Sequence, residues 1–416
     1  MNSTYETLRK EIEKIALIDT HEHLRSEDEC IERPCDPIAL FLTHYLSTDF
    51  LTAGMDSEIL SKLRDPSVPL EEKWEYFSEY WELASNTGYA RVIKIALKDL
   101  YGEDEVSLRA LQRVAKKMRD LYKPGFYRRI LKERANIEVC ILDVGKTNVD
   151  RELFVPVIRF DEFIYTRSAK DIQALERRAG MRIHDLKDLV TALRTSLEKV
   201  KSSIVGVKTG LAYRRPLSYD KASSHEAEGV LIKVLHSEDG LSFEEAKPLQ
   251  DFMMHQLLSL CERYSIPVQI HTGLQEGIWG RLTDSNPSLL IDIFREYRHV
   301  KFDVFHAGYP YSRELGAIAK QFPNVYLDLC WTHAISPEGA RRILSEWLDL
   351  LPSSKILAFG GDYVFVEGAY GHSRIARYNV AKVLAEKVED RDFKLEEAIK
   401  IARRILRENA KRLFFS

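Results

Sequence analysis

A chain of 416 residues with 45% hydrophobic and 30% charged residues has ample material for a globular core. Its formal net charge of -3 creates no field to recruit nucleic acid or an anionic membrane, so a small-molecule substrate is the expected partner. Five cysteines, an odd number without dense spacing, argue against a disulfide framework and for a reducing compartment. Cys30 and Cys35 would make half a zinc site with no second pair, and both read as ordinary thiols. The start shows no basic segment leading into an apolar leader, and no apolar run reaches membrane-spanning length. A cytoplasmic location is expected; the sequence leaves oligomeric state open, a homo-oligomer included.

Helical spacing of Leu8, Ile12 and Ile15 predicts a helix over Thr4–Lys14, with Thr4 as its cap. The next stretch, Ile15-Ala16-Leu17-Ile18-Asp19-Thr20-His21-Glu22-His23-Leu24, is an apolar strand ending in two histidines one residue apart. Residues two apart on a strand share a face, so His21 and His23 can aim two imidazoles at one point, an arrangement suited to a divalent metal. From Arg25 to about Asn136 aromatic and aliphatic residues recur at helical spacing and no convincing strand appears. Residues 25–136 are read as a helical insertion or cap, and Trp74, Phe77, Tyr80 and Trp81 as its own core.

From Ile137 onward short apolar strands alternate with helices, the pattern of a parallel sheet. Strands are expected at Val139–Asp143, Val155–Phe160, Val205–Thr209, Val268–His271, Phe302–His306, Val325–Leu329 and Ile356–Phe359. Helices are expected at Asp185–Val200, Leu249–Tyr264, Leu289–Tyr297, Ser312–Gln321 and Pro337–Leu350. With the first strand this makes eight repeats. The prediction is an α/β fold, a (β/α)8 TIM barrel formed by 1–24 and 137–416 with a large helical insertion after strand 1. No Gly-rich dinucleotide fingerprint follows any strand. Ser218–Glu245 is polar and reads as an excursion over the barrel mouth or a mobile loop.

Polar residues stand at the carboxyl ends of separate strands, where barrel enzymes keep their sites: His271, His306 and Asp362. Together with His21 and His23 they form a nitrogen and carboxylate ligand set that suits zinc first, with manganese, iron or nickel admissible. Lys208, at the end of the fourth strand among apolar neighbours, can remain an ammonium paired with a carboxylate, or react with carbon dioxide to give a carbamate bridging two metals.

The two histidines after strand one, Lys208, His271, His306 and Asp362 together resemble the metal site of the amidohydrolase superfamily. The C-terminal stretches Val268-Gln269-Ile270-His271-Thr272-Gly273, Phe305-His306-Ala307-Gly308-Tyr309-Pro310-Tyr311 and Asn324-Val325-Tyr326-Leu327-Asp328 are similar to the amidohydrolase-related domains of nodulin-type chains. The resemblance covers residues 12–24 and 137–412. It departs from the usual pattern where Asp362 is followed by Tyr363 and Val364. It implies one divalent ion, most readily zinc, on His21, His23, Asp362 and His271, and a second on His271 and His306 if Lys208 is carbamylated. Asp362, His306 and His271 are the implied catalytic residues: Asp362 would shuttle a proton from activated water, and His306 would ligate or polarise a carbonyl. The implied activity is hydrolysis of an amide, lactone or related bond in a small anionic molecule. The alternatives are decarboxylation or uronate isomerisation on the same site, and a barrel kept as an assembly module.

Residues beyond the motif are further candidates for the substrate. Arg214 and Arg215 can grip a carboxylate in bidentate fashion, and His372 and Arg374 follow strand eight. Trp331 and His333, after strand seven, are further candidates too, and for these two, as for His372 and Arg374, a wall-residue role is the leading reading.

Overall fold

The computed structural model describes residues 3–415. A helix over Ser3–Glu13, burying Leu8 and Ile12, leads into β1 (Leu17–Glu22). There follow β2 (Ile137–Leu142), β3 (Phe154–Arg159), β4 (Gly206–Thr209), β5 (Val268–Ile270), β6 (Phe302–Val304), β7 (Val325–Asp328) and β8 (Ile356–Leu357). Each strand pairs in parallel with the next, in sequence order. Closure between β8 and β1 is made by backbone bonds at the strand ends. Thr20 N–H donates to Phe359 O at 3.2 Å, Asp362 N–H to His21 O at 2.7 Å and His23 N–H to Tyr363 O at 3.0 Å. The fold is the expected (β/α)8 barrel.

The register settles which side chains share a level. Arg159 pairs with Lys208, Lys208 with Gln269, and Gln269 with Asp303. The end of the barrel opposite these residues is filled by Ile18, Ile141, Val157 and Leu357, with Leu413 and Phe414 of the final helix, Asn409–Phe414. Burial of such side chains contributes roughly 1.5–3 kcal/mol each.

Residues 25–136 contain helices, the longest being Leu70–Ala84, Gly88–Tyr101 and Leu108–Leu121. Their aromatic residues pack on one another, with Phe77 and Trp81 stacked at 5.7 Å and Phe50 against Phe77 at 5.3 Å. The segment is tied to the barrel: Tyr101 and Tyr122 hydroxyls both donate to Glu367 Oε1, at 2.7 and 2.6 Å, on the helix Val366–Glu389 that follows β8.

Two expectations need correction. Ser218–Glu245 is no loose excursion, because Ser223 and Glu226 form a capping box that starts a helix over Ser224–Leu235. That helix buries Ala227, Val230, Leu231 and Val234 and packs on a helix over Phe243–Tyr264, which itself begins earlier than expected on a second capping box of Ser242 and Glu245. Leu289–Tyr297 is likewise split, into a 3-10 turn at Pro287–Leu290 and a short helix at Ile291–Glu296, since Pro287 favours a new start there.

Candidate metal centre

The register of β1 is irregular between Asp19 and Glu22, at the end of the strand where His21 and His23 stand. Their Nε2 atoms lie 3.2 Å apart. Asp362 comes in from the opposite side of the closure, its Oδ1 3.2 Å from His23 Nε2 and 3.8 Å from His21 Nε2. The corner that delivers Asp362 can pass so close to β1 only because Gly360 and Gly361 lack side chains. A Cβ on Gly361 would overlap the Glu22 carboxylate, and one on Gly360 would stand 2.5 Å from Thr20 Oγ1. Asp362 itself has φ 59° and is held by Tyr45, whose hydroxyl donates to its carbonyl at 2.6 Å.

From the other half of the barrel come His271 and His306, with His306 Nε2 2.9 Å from His271 Nδ1 and 3.8 Å from Asp362 Oδ2. Each of three histidines has a ring nitrogen against a backbone carbonyl, and these contacts assign the tautomers. His23 Nδ1 donates to Asp143 O at 2.8 Å, His271 Nε2 to Leu274 O at 2.9 Å and His306 Nδ1 to Cys330 O at 3.1 Å. The remaining nitrogens are therefore bare: His23 Nε2 faces His21 and the Asp362 carboxylate, and His271 Nδ1 faces His306 Nε2. Acceptors set against acceptors suit a cation between them, a proton on His23 or a metal ion, and orientation of each imidazole by an outer carbonyl is the usual support of a metal ligand. The residues fit a divalent ion on this ground.

Electrostatics agree. Burial, with the nearby Lys208 charge, holds His21 and His271 well below the usual histidine range, and burial brings His306 to about 4. All three are neutral at pH 7, the state that donates a lone pair. His23 goes the other way: burial disfavours its charge, but the Asp362 hydrogen bond and the Asp143 and Asp362 charges outweigh this and raise it. Burial works equally against ionised Asp362, yet the His23 bond and the surrounding histidines keep it well below the carboxylate range. Lys208 is buried, with its Nζ 3.8 Å from the Phe305 ring centre, and burial, then the Arg159 charge, lower it to about 8.

Three residues at the site went unassigned in the sequence. Asp143, at the end of β2, places Oδ2 3.8 Å from His21 Nε2 and forms with His21 and His23 a group of metal-ligand type. Arg159, at the end of β3, grips that carboxylate through Nε and a terminal nitrogen at 2.7 and 2.6 Å. Cys330 follows β7. An acid, a base and a thiol at three further strand ends were the available signal. Beneath them the barrel interior is acidic: Asp19 and Asp328 are both pushed up to about 7 by burial, and Asp303 is raised well above its ordinary value. A cavity of about 870 Å³ runs from His23 past Asp143 and Arg159 to Arg178 and Lys199.

Four positions expected to meet substrate do not converge on this point. Arg215 is buried and consumed by structure: it pairs with Asp251 at 2.6 Å and donates to Gln250 Oε1 and Ser218 O. Arg374 pairs with Glu13 of the first helix at 2.6 Å, away from the strand ends. His372 is fully buried and its Nδ1 bonds Gly361 O at 2.9 Å, so it supports the corner carrying Asp362. Arg214 is exposed, over the Tyr165 ring. Trp331 and His333 are wall residues: Trp331 stacks on Tyr45 at 4.5 Å and stands edge-on to His306, while His333 Nε2 bonds Ala358 O at 2.9 Å.

Residues 221–415 match the amidohydrolase family. Protein fluG of Emericella nidulans is 32% identical over 222 residues, 51% of this chain; the match spans about a quarter (26%) of that relative's length. The uronate isomerase of Thermotoga maritima shares the fold with a TM-score of 0.82 at 17% identity, over 100% of this chain and 98% of that one. A putative metal-dependent hydrolase from Lactobacillus casei gives 0.71 at 20% identity, over 98% and 97%. The glucuronate isomerase of Caulobacter crescentus gives 0.79 at 18%, over 99% and 94%. The family match thus covers residues 221–415, the C-terminal part of a complete eight-stranded barrel that these solved structures share.

Proposed function

We propose that the protein is a metal-dependent hydrolase that cleaves an amide, lactone or related bond in a small anionic molecule. The observation that carries this reading is the chain of close approaches among His21, His23, Asp362, His306 and His271, whose ring nitrogens and carboxylate oxygens stand 3.2, 3.2, 3.8 and 2.9 Å apart in turn. A divalent ion there, zinc first, supplies Lewis acidity and acidifies water toward neutral pH. His21, His23 and Asp362 would hold it, with His271 and His306 completing the set or holding a second ion. The Asp362 carboxylate, ionised at pH 7, accepts a proton from attacking water and returns it to the leaving group. His306 is suited to ligation rather than to polarising a carbonyl, because its N–H is committed to Cys330 O. Arg159, part exposed at the cavity wall, offers a guanidinium to a substrate carboxylate. Lys208, lowered to about 8 by burial, gives up its proton more readily than an exposed lysine, which eases carbamate formation and favours two ions.

A second reading, uronate isomerisation, is favoured by the likeness to two uronate isomerases along nearly the whole chain. The two part in one experiment. Zinc-loaded protein is incubated with N-acyl amino acids, lactones and uronates, and released acid and aldose–ketose conversion are both followed. Acid release is expected; sugar conversion without hydrolysis would replace the first reading with the second.

A further inference from the structure

We propose that Cys330 donates its sulfur to the metal centre, making it a mixed nitrogen, oxygen and thiolate site. The inference rests on the reading of these residues as metal ligands and adds a donor from β7, a strand otherwise without a ligand. His306, Cys330 and Asp362, all buried, each present one ligand atom within 4.8 Å of the other two. Metal–nitrogen and metal–oxygen bonds near 2.1 Å and a metal–sulfur bond near 2.3 Å bring donors to within about 4 Å of one another, so closing by less than about 1 Å would seat all three on one ion.

The cysteine is held for this position. Its N–H donates to Asp328 Oδ1 at 2.7 Å, its carbonyl accepts from His306 Nδ1 at 3.1 Å, and the next residue, Trp331, has φ 61°. One residue thus orients a ligand imidazole through its main chain while carrying a donor on its side chain. Across the closure the sulfur faces Gly360, where an added Cβ would stand 2.8 Å from Sγ, so the Gly360 position leaves the sulfur its space. Coordination forms one metal–sulfur bond, breaks the S–H bond and releases one proton to water. A thiolate donor biases the centre toward zinc or cobalt and against magnesium or manganese.

The test uses the full chain loaded with cobalt(II), whose visible bands report that an ion is bound and whose near-ultraviolet charge-transfer band reports a thiolate ligand. The unaltered protein should show both, and Cys330→Ser should keep the visible bands and lose the near-ultraviolet one. A near-ultraviolet band that is missing from the unaltered protein, or that survives Cys330→Ser, overturns the proposal while leaving the metal centre intact. Failure to bind cobalt overturns both readings. Should the variant not fold, zinc X-ray absorption on the unaltered protein decides, a sulfur scatterer near 2.3 Å being required.

Discussion

The Tyr45 hydroxyl donates to the Asp362 carbonyl at 2.6 Å, across 317 residues of sequence, and so joins the helical segment to the corner that carries the carboxylate of the candidate metal site. Tyr45 stacks on both Tyr89 and Trp331, at 5.1 and 4.5 Å, which fixes its ring and leaves the hydroxyl little freedom. Tyr45→Phe keeps the stack and removes the bond. It should cost about 1 kcal/mol in thermal unfolding. Because outer partners of ligands tune affinity, metal binding measured by calorimetry should weaken by about tenfold.

His23→Ala removes the imidazole that faces both His21 and Asp362. Metal affinity should fall by more than the roughly 10- to 100-fold that loss of an outer partner costs, with the far-ultraviolet spectrum unchanged. Elemental analysis after gel filtration reads it directly; full metal content in the variant would remove His23 from the site.

Arg215 makes a contrasting case, since its pairing with Asp251 is fully buried. Arg215→Ala leaves Asp251 to Lys247 alone and strips Gln250 and the Ser218 carbonyl of their buried donor, and the expected loss is about 1–3 kcal/mol in denaturant unfolding. Metal content of the fraction that stays folded should not change. A variant as stable as the parent but altered in substrate affinity would return Arg215 to the binding site.

Asp49 gives a pH-dependent term outside the metal centre. Burial pushes its carboxyl from 3.8 up to about 6, against a hydrogen bond from Thr87 that pulls it down. Between these values the folded state holds a proton the unfolded chain has released, so this group's contribution to stability falls as pH rises from about 4 to about 6 and is constant above. Asp49→Asn removes the dependence. Melting curves across that window should show the variant gaining about 1 kcal/mol on the parent, a figure reduced for the part exposure of the group. Parallel curves for the two proteins would contradict the assignment.

The barrel was legible because parallel strands buried on both faces read as apolar runs separated by helices, and a histidine or aspartate interrupting such a run stands out. His21, His23, His271, His306 and Asp362 stood out for that reason, and the structure brings them together. Asp143 and Arg159 did not, because an acid or an arginine at a strand end is ordinary on a protein surface, and only the fold turns these two toward His21. Arg215 misled for the converse reason: its partner Asp251 lies on a helix that the sequence could place but not orient. Tyr45 was invisible because its role depends on a contact between segments more than 300 residues apart. Ser218–Glu245 was misread by composition, since the polar residues that suggested a loop are the capping boxes that begin two helices.

The candidate metal donors stand on both sides of the joint where the eighth strand meets the first. An ion gripped by His21, His23 and Asp362 is therefore a rivet through the last seam of the molecule, holding together portions of chain that are far apart before folding is complete. Chelation should leave the interior strands protected from amide exchange while β1 and the corner after β8 begin to exchange. Occupancy and architecture share one free energy here, and whatever strips the metal also loosens the ring.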